Sequence, residues 1–217
     1  ADFITYAPPV GLADYRKAAI DETFEAYRPE GYIDAVATAG GTGAVHIAIA
    51  NYSEVGDDVL ASDWRWGIYG SLCQEIGRRL TTFALLDESG AFNIESFSSA
   101  VADVLRKQDS LLIILNTPAN NPTGFALSDQ DWAEVLQVCR FHEKQGKRIS
   151  ILVDIAYIAY AGEKNEVRTF MKQFSNLPPH LFIMAAFSMS KGYTLYGQRA
   201  GALVGVSSSE DVIKEFT

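Results

Sequence analysis

The apolar residues of this chain fall into two alternating kinds of pattern. In one kind, apolar residues follow each other almost without interruption, which predicts a strand buried on both faces. In the other kind, apolar residues recur every three or four positions, which predicts an amphipathic helix. Residues 59–61, 80–85, 111–115, 149–153 and 181–187 belong to the first kind, and residues 64–77 and 94–105 to the second. This alternation predicts an α/β fold, which we expect to be a three-layer αβα sandwich around a mostly parallel sheet.

Further helices are predicted on both sides of this region. The first begins near Leu12, and another begins near Thr42 after a strand and a glycine-rich turn. Ser128 and Asp131 have the spacing of a capping box, in which each side chain binds the backbone N–H of the other residue. The helix that they start should end at Gly146.

Polar residues follow three of the predicted strands. The strand at 111–115 leads into residues 116–121 (NTPANN), and the next two strands lead into Asp154 and into residues 188–191 (SMSK). Because the carboxyl ends of parallel strands meet at one edge of a sheet, and ligands of α/β proteins bind there, we expect these residues to converge. Lys191 is the one lysine among them.

Charge and composition restrict the classes of partner. The formal net charge of −9 over 217 residues argues against nucleic acid or an anionic membrane as the main partner. No apolar run is long enough for a membrane span, and residues 1–20 show no charged leader followed by an apolar block. A small anionic ligand remains possible, and the abrupt start and end predict a fragment of a longer protein.

The cysteine and histidine residues do not form a recognisable framework. Cys73 and Cys139 fall in separate helical patterns without a CxxC spacing, which argues against a disulfide or a zinc knuckle and favours the reducing cytoplasm. His46, His142 and His180 are scattered along the chain. We therefore predict no metal site.

The segment GGTGA, residues 40–44, predicts an anion site. Three glycines at a strand-to-helix turn let backbone N–H groups and the positive end of a helix face a phosphate. The segment matches neither the dinucleotide fingerprint nor the P-loop, and on its own it also suits a simple tight turn. Arg199, Ser188 and Ser190 add donors for phosphate oxygens.

A phosphate site beside a lysine at a strand end suggests pyridoxal 5′-phosphate (PLP), whose aldehyde condenses with a lysine amine. Asp154 is placed to keep the pyridine nitrogen of PLP protonated, and Tyr157 to reach its phenolic oxygen. Trp64 or Trp66 would stack on the ring. Taken singly, each residue also has a structural explanation: a solvated Lys191, a capping Asp154, a core tyrosine or a buried tryptophan.

Five segments together resemble the fold-type-I PLP-dependent enzymes of the aspartate aminotransferase family (class I and II aminotransferases). They are GGTGA at 40–44, WGIY at 66–69, NNPTG at 120–124, DIAY at 154–157 and SMSKGYTLYGQRAG at 188–201. The resemblance covers nearly the whole chain and implies a PLP-dependent transferase large domain over residues 1–217.

The resemblance also implies roles for individual residues. Lys191 is similar to the lysine that forms the Schiff base with PLP and then transfers the substrate proton. Asp154 is similar to the partner of the pyridine nitrogen, and Tyr157 and Asn121 to the pair that binds the phenolic oxygen; Lys191, Asp154 and Tyr157 are thus the implied catalytic residues. The tyrosine that reaches the phosphate of the neighbouring subunit corresponds to Tyr6, which implies a homodimer. The implied cofactor-binding residues are Tyr6, Gly41, Thr42, Trp66, Asn121, Asp154, Tyr157, Ser188, Ser190, Lys191 and Arg199.

The chain departs from the family pattern at two positions and in extent. Tyr69 stands where the relatives have a histidine behind the pyridinium carboxylate, which puts the tuning of Asp154 in doubt. Gly40 stands where they have serine, which leaves the backbone donors in place. The small domain with the arginine for the substrate carboxylate is expected beyond Thr217, outside this chain.

We therefore expect an aminotransferase that moves an amino group from an aspartate-type or aromatic amino acid to a 2-oxo acid. Another outcome of PLP chemistry, C–S lyase or decarboxylase activity, uses the same lysine, aspartate and tyrosine. Two further alternatives are a non-catalytic aminotransferase-like regulatory domain and a Rossmann-like module for another phosphorylated ligand. The last leaves the combination of Asn121, Asp154 and Lys191 unexplained.

Overall fold

Helices and strands alternate along most of the chain, as the apolar patterns predict. The computed structural model describes residues 6–217. The strands are β1 (Tyr32–Ala39), β2 (Asp58–Ser62), β3 (Arg79–Phe83), β4 (Ser110–Asn116), β5 (Arg148–Asp154), β6 (Leu181–Ser188) and β7 (Ala200–Ser207). The helices are α1 (Ala13–Phe24), α2 (Gly40–Asn51), α3 (Ile68–Glu75), α4 (Ile94–Leu105), α5 (Asp129–Glu143), α6 (Met189–Gly192) and α7 (Glu210–Phe216).

The strands form one sheet in the order β1-β7-β6-β5-β4-β2-β3. The neighbours from β6 to β3 are parallel, and β7 is antiparallel to both β1 and β6. Residues 189–199 join β6 to β7 and contain only the short helix α6 and one 3-10 turn, whereas parallel strands are usually joined by a crossover that contains a longer helix. The predicted mostly parallel sheet is confirmed.

Helices cover both faces of the sheet and divide the core in two. Successive residues of a strand point to opposite faces, so Leu111, Ile113 and Leu115 pack on one side of β4, and Leu112 and Ile114 on the other. Helices α1, α4 and α5 cover the first side, and α2, α3 and α7 cover the second. This is the predicted three-layer sandwich. None of the helices in residues 6–217 combines the length and the apolar character that crossing a bilayer requires.

The predicted helices differ from the observed ones at their first and last residues, and α5 ends at Glu143, before the predicted end at Gly146. Helix α4 has the predicted bounds, and Ser128 and Asp131 form the predicted capping box at the start of α5. Helix α3, predicted from Trp64, begins only at Ile68. The reason is a local turn: the Asp63 carboxylate accepts the backbone N–H of Trp64, and the Ser62 hydroxyl donates to the Trp64 carbonyl.

Cys73 and Cys139 are both buried and free. They belong to the two cores on opposite faces of the sheet, so they cannot pair with each other. Burial raises the pKa of the Cys73 thiol to about 11 and that of Cys139 to about 12. Both side chains therefore act as small apolar core residues.

Candidate active site

A cavity of about 220 Å³ lies at the carboxyl ends of β4, β5 and β6. This is the edge at which the sequence predicted that polar residues would converge. The lining residues come from these three strand ends, from the segment before β7, from the turn before α3 and from the start of α2. They are Gly41, Thr42, Trp66, Asn116, Asn121, Asp154, Ala156, Tyr157, Ser188, Ser190, Lys191, Tyr196 and Arg199.

One end of the cavity is built for an anion. Helix α2 begins at Gly40, so its first backbone N–H groups face the cavity at Gly41 and Thr42. A Cβ atom on Gly40 would lie 2.9 Å from Nη2 of Arg199, and a Cβ on Gly41 would lie 3.0 Å from Cβ of Ser188. A side chain at either position would fill the space between the start of α2 and the side chains of Arg199 and Ser188, so glycine keeps this space open.

Arg199 and the two serines complete this end of the cavity, which we call the anion cradle (Gly41, Thr42, Ser188, Ser190 and Arg199). The Ser188 hydroxyl accepts the backbone N–H of Ser190 at 3.2 Å, which fixes the turn after β6. The Arg199 guanidinium donates to the Tyr196 carbonyl at 3.2 Å and pairs with no carboxylate among residues 6–217. Its charge is therefore available to an anionic ligand.

Lys191 lies beside the anion cradle, in the short helix α6 that follows β6 directly. Its Nζ atom is 5.5 Å from the ring centroid of Tyr157 and 5.1 Å from that of Tyr196. Within the described part of the chain it has no carboxylate partner. The Tyr160 hydroxyl donates to its main-chain carbonyl at 2.9 Å, which holds the backbone of the lysine in place.

Asp154 is the acidic group of the cavity and ends β5. Its side chain is buried, and burial raises the pKa of the carboxyl above its ordinary value. Hydrogen bonds from the Tyr69 hydroxyl at 2.5 Å and from the Ala156 N–H at 3.1 Å act in the opposite direction, because they favour the ionised form. The sequence left open whether a tyrosine at position 69 could contact the carboxylate at position 154. In the structure, the Tyr69 hydroxyl donates a hydrogen bond to the Asp154 carboxylate.

Asn121 and Tyr157 form a pair at the mouth of the cavity. The Asn121 amide nitrogen lies 3.4 Å from the Tyr157 hydroxyl, a long hydrogen bond. Asn116 supports both neighbouring strand ends, because its side chain accepts the N–H of Asn121 at 2.6 Å and donates to the Asp154 carbonyl at 2.9 Å. These contacts fix the strand ends of β4 and β5 relative to each other.

The structure distinguishes the two candidate tryptophans. Trp66 lines the cavity and makes an edge-to-face contact with the ring of Tyr69, with centroids 5.6 Å apart. Trp64 does not line the cavity, and 54% of its surface is exposed. Only Trp66 is therefore placed to stack on a ligand in this cavity.

The cavity brings together ten of the eleven residues that the sequence singled out for it: Gly41, Thr42, Trp66, Asn121, Asp154, Tyr157, Ser188, Ser190, Lys191 and Arg199. Tyr6 is fully exposed and does not line it. Sequence reasoning did not single out Asn116, Ala156 or Tyr196. Asn116 directly follows the predicted strand at 111–115, among the polar residues expected to converge, and this position was the available signal for it.

Comparison with known proteins gives matches along the whole described chain. Residues 2–217 match the family model described as aminotransferase class I and II. A solved aminotransferase from Anaerococcus prevotii is 46% identical, covers 98% of this chain and superposes with a TM-score of 0.95. An aromatic-amino-acid aminotransferase of Pseudomonas aeruginosa is 29% identical over 79% of the chain. A Burkholderia pseudomallei aromatic-amino-acid aminotransferase, solved covalently bound to pyridoxal phosphate, is 25% identical over 98% of the chain with a TM-score of 0.76.

The chain spans only part of each of these proteins. The matches cover 52% of the Anaerococcus chain, 41% of the Pseudomonas protein and 52% of the Burkholderia chain.

Proposed function

We propose that this chain, which belongs to the class I and II aminotransferase family, supplies the cofactor-binding domain of a PLP-dependent aminotransferase. The observation that carries the proposal is the placement of Lys191 and Asp154 in one cavity beside the anion cradle. A lysine amine for the aldehyde, a carboxylate for the pyridinium nitrogen and an anion site for the phosphate together suit the three polar groups of PLP. Residues 1–217 are the large domain in this proposal, and the small domain with the arginine for the substrate carboxylate belongs to the rest of the enzyme.

The residues of the cavity fit the cofactor group by group. The anion cradle receives the phosphate, because it offers helix N–H groups, two hydroxyls and a guanidinium that has no carboxylate partner among residues 6–217. Asp154 accepts the pyridinium N–H, and a cation beside its carboxylate offsets the cost of burying that charge. Trp66 covers one face of the ring. Tyr157 and Asn121 bind the phenolic oxygen.

When bound, PLP supplies an aldehyde that condenses with amines and a ring that draws electrons from the substrate Cα. The Lys191 amine would be the base and acid of the reaction: once free, it would take the proton from the substrate Cα and return it to the cofactor. The rings of Tyr157 and Tyr196 flank its Nζ atom and restrict the positions that the amine can take. The Asp154 carboxylate would stabilise a positive charge on the pyridine nitrogen, which would favour withdrawal of electrons from Cα.

The substrates in this proposal are an aspartate-type or aromatic amino acid and a 2-oxo acid. The names of the relatives support this choice, since the Pseudomonas and Burkholderia proteins are aromatic-amino-acid aminotransferases. The proposed enzyme is a homodimer in which Tyr6 reaches the cofactor phosphate of the neighbouring subunit, and full exposure of Tyr6 is compatible with that role. We also infer a cytoplasmic location, supported by two buried thiols that form no disulfide.

The test is to locate the cofactor and then to follow its reaction. The purified protein is incubated with PLP and reduced with borohydride, and peptide mapping should find the phosphopyridoxyl group on Lys191. A second aliquot receives a panel of amino acids, which should change the visible absorbance and release the matching 2-oxo acids. Lys191→Ala should lose both signals, whereas Lys107→Ala, an exposed lysine remote from the cavity, should keep both.

Three results would contradict the proposal. If the phosphopyridoxyl group is found on a lysine other than Lys191, the proposal loses the residue on which it depends. Release of ammonia or carbon dioxide in place of amino transfer indicates a lyase or a decarboxylase. Binding of PLP without any reaction with amino acids indicates a regulatory domain.

A further inference from the structure

Tyr69 is fully enclosed beneath the cavity, although its side chain carries a polar hydroxyl group. It lies in the first turn of α3, and none of its surface is exposed. Its O–H donates to Oδ2 of Asp154 at 2.5 Å, across 85 positions of sequence. Oxygen–oxygen distances of about 2.5–2.7 Å are typical of hydrogen bonds to an ionised carboxylate. The contact is therefore among the stronger hydrogen bonds of the site.

The Asp154 carboxylate depends on this contact for its orientation. Among the residues that the structure describes, its donors are the Tyr69 hydroxyl on Oδ2 and the Ala156 N–H on Oδ1 at 3.1 Å. Asn116 and Thr117 bind the main-chain carbonyl of Asp154 and leave the carboxylate alone. Within residues 6–217, Tyr69 thus provides the one side-chain donor that opposes rotation of the carboxylate.

The ring of Tyr69 also contacts Trp66, which lines the cavity. Trp66 stands three positions earlier and meets the Tyr69 ring edge to face, at an interplanar angle of 86°. Leu72 and Cys73 pack in the same core cluster and hold α3 against the sheet. One buried side chain therefore touches both the acidic group and the aromatic wall of the cavity.

The Tyr69 hydroxyl stays protonated, so it can donate a hydrogen bond to the Asp154 carboxylate. Burial raises its pKa well above the ordinary value, and the Asp154 carboxylate raises it further through its negative charge and through the hydrogen bond that it accepts. The phenol therefore retains its proton at neutral and moderately alkaline pH. A donor that cannot ionise there offers the carboxylate the same contact across that range.

We propose that Tyr69 is a positioning residue: its hydroxyl holds the Asp154 carboxylate in the orientation from which it accepts the pyridinium N–H of PLP. This inference rests on the proposed function, since it concerns the same cofactor. It adds a residue that lies outside the cavity lining and acts through Asp154.

The test measures ligand binding by the cofactor-free protein, without any assay of activity. Equilibrium dialysis gives the Kd for PLP and for 1-deazapyridoxal 5′-phosphate, in which a C–H group replaces the ring nitrogen. Tyr69→Phe keeps the ring and removes the hydroxyl, and it should weaken PLP binding about tenfold. The same substitution should change the Kd of the deaza analogue by less than about twofold, because the analogue has no N–H for Asp154 to accept.

Two controls separate a positioning role from a structural one. Tyr52→Phe removes the hydroxyl of a tyrosine that packs on Phe182 away from the cavity, and it should leave both Kd values unchanged. In an Asp154→Asn background, Tyr69→Phe should have no further effect on PLP binding. Equal weakening of PLP and its analogue, or full PLP affinity in Tyr69→Phe, overturns the proposal while the proposed function stands. Wild-type protein that binds no PLP overturns both.

If Tyr69→Phe alone does not fold, the double variant with Asp154→Asn is tested, because it lacks the charge that the hydroxyl solvates. Recovery of folding in the double variant supports the pairing of the two residues. A double variant that also fails to fold shows that Tyr69 is needed for packing alone and overturns the proposal.

Discussion

Gly201 lies so close to Gly40 that a Cβ atom on Gly201 would come within 2.5 Å of the Gly40 carbonyl carbon. Gly201 belongs to β7, where it pairs with Thr38 of β1 and with Ser188 of β6. The contact therefore sets the distance between β7 and the start of α2, and with it the width of the anion cradle.

We expect Gly201→Ala to damage both stability and cofactor binding. The added methyl group forces two backbones apart, and overpacking of this kind costs about 1–3 kcal/mol. Urea unfolding measures the stability, and equilibrium dialysis measures the Kd for PLP. Gly197→Ala is the matched control, because a Cβ atom there meets nothing within 4 Å. Wild-type stability and affinity in Gly201→Ala would contradict the argument.

Arg199 should contribute to binding through the phosphate alone. Loss of a hydrogen bond to a charged group costs about 1.5–3 kcal/mol, so Arg199→Ala should weaken PLP binding about 10- to 100-fold. The Kd for pyridoxal, which lacks the phosphate, should not change. Arg106→Ala, which removes an exposed arginine remote from the cavity, serves as the control. Equal weakening of PLP and pyridoxal would place the effect of Arg199 elsewhere.

Trp66 and Trp64 should behave differently although they are two positions apart. Trp66→Ala should weaken PLP binding at least about tenfold, because it removes the aromatic wall of the cavity. Trp64→Ala should stay within about twofold of wild type, since the Trp64 side chain does not line the cavity and its hydrogen bonds to Ser62, Asp63 and Asn120 are made by its backbone. Quenching of tryptophan fluorescence by PLP should disappear in Trp66→Phe and persist in Trp64→Phe. The reverse pattern would contradict the assignment.

Asp154 should make the stability of the cofactor-free protein depend on pH. Burial raises the pKa of its carboxyl, so between the unfolded-state and folded-state pKa values the folded protein holds a proton that the unfolded chain has released. The contribution of Asp154 to the free energy of unfolding is therefore complete in acid and is lost as pH rises through the folded-state pKa.

Asp154→Asn does not titrate and should gain stability relative to wild type as pH rises above about 4, the ordinary pKa of an aspartate. Urea unfolding of the two cofactor-free proteins between about pH 4 and 8 measures the difference. A difference that shrinks with rising pH would mean that the hydrogen bonds from Tyr69 and Ala156 outweigh burial.

The sequence by itself determined the order of the elements and the edge of the sheet at which the polar residues meet. Strand and helix patterns depend on the repeat of apolar positions, which is local and can be read directly. The bounds of α4 and the Ser128–Asp131 capping box were predictable for the same reason. Parallel strands place their carboxyl ends together, so Asn121, Asp154 and Lys191 could be grouped before any coordinates were known.

Only the tertiary structure decided which side chains meet. The choice of Trp66 over Trp64 depends on the turn at Asp63, which delays the start of α3 and sets the direction of every side chain on it. The hydrogen bond from Tyr69 to Asp154 joins a helix to a strand, and the approach of Gly201 to Gly40 depends on the antiparallel insertion of β7. Such contacts follow from the order of the strands and the rotation of each helix on the sheet, and no local repeat in the sequence records either.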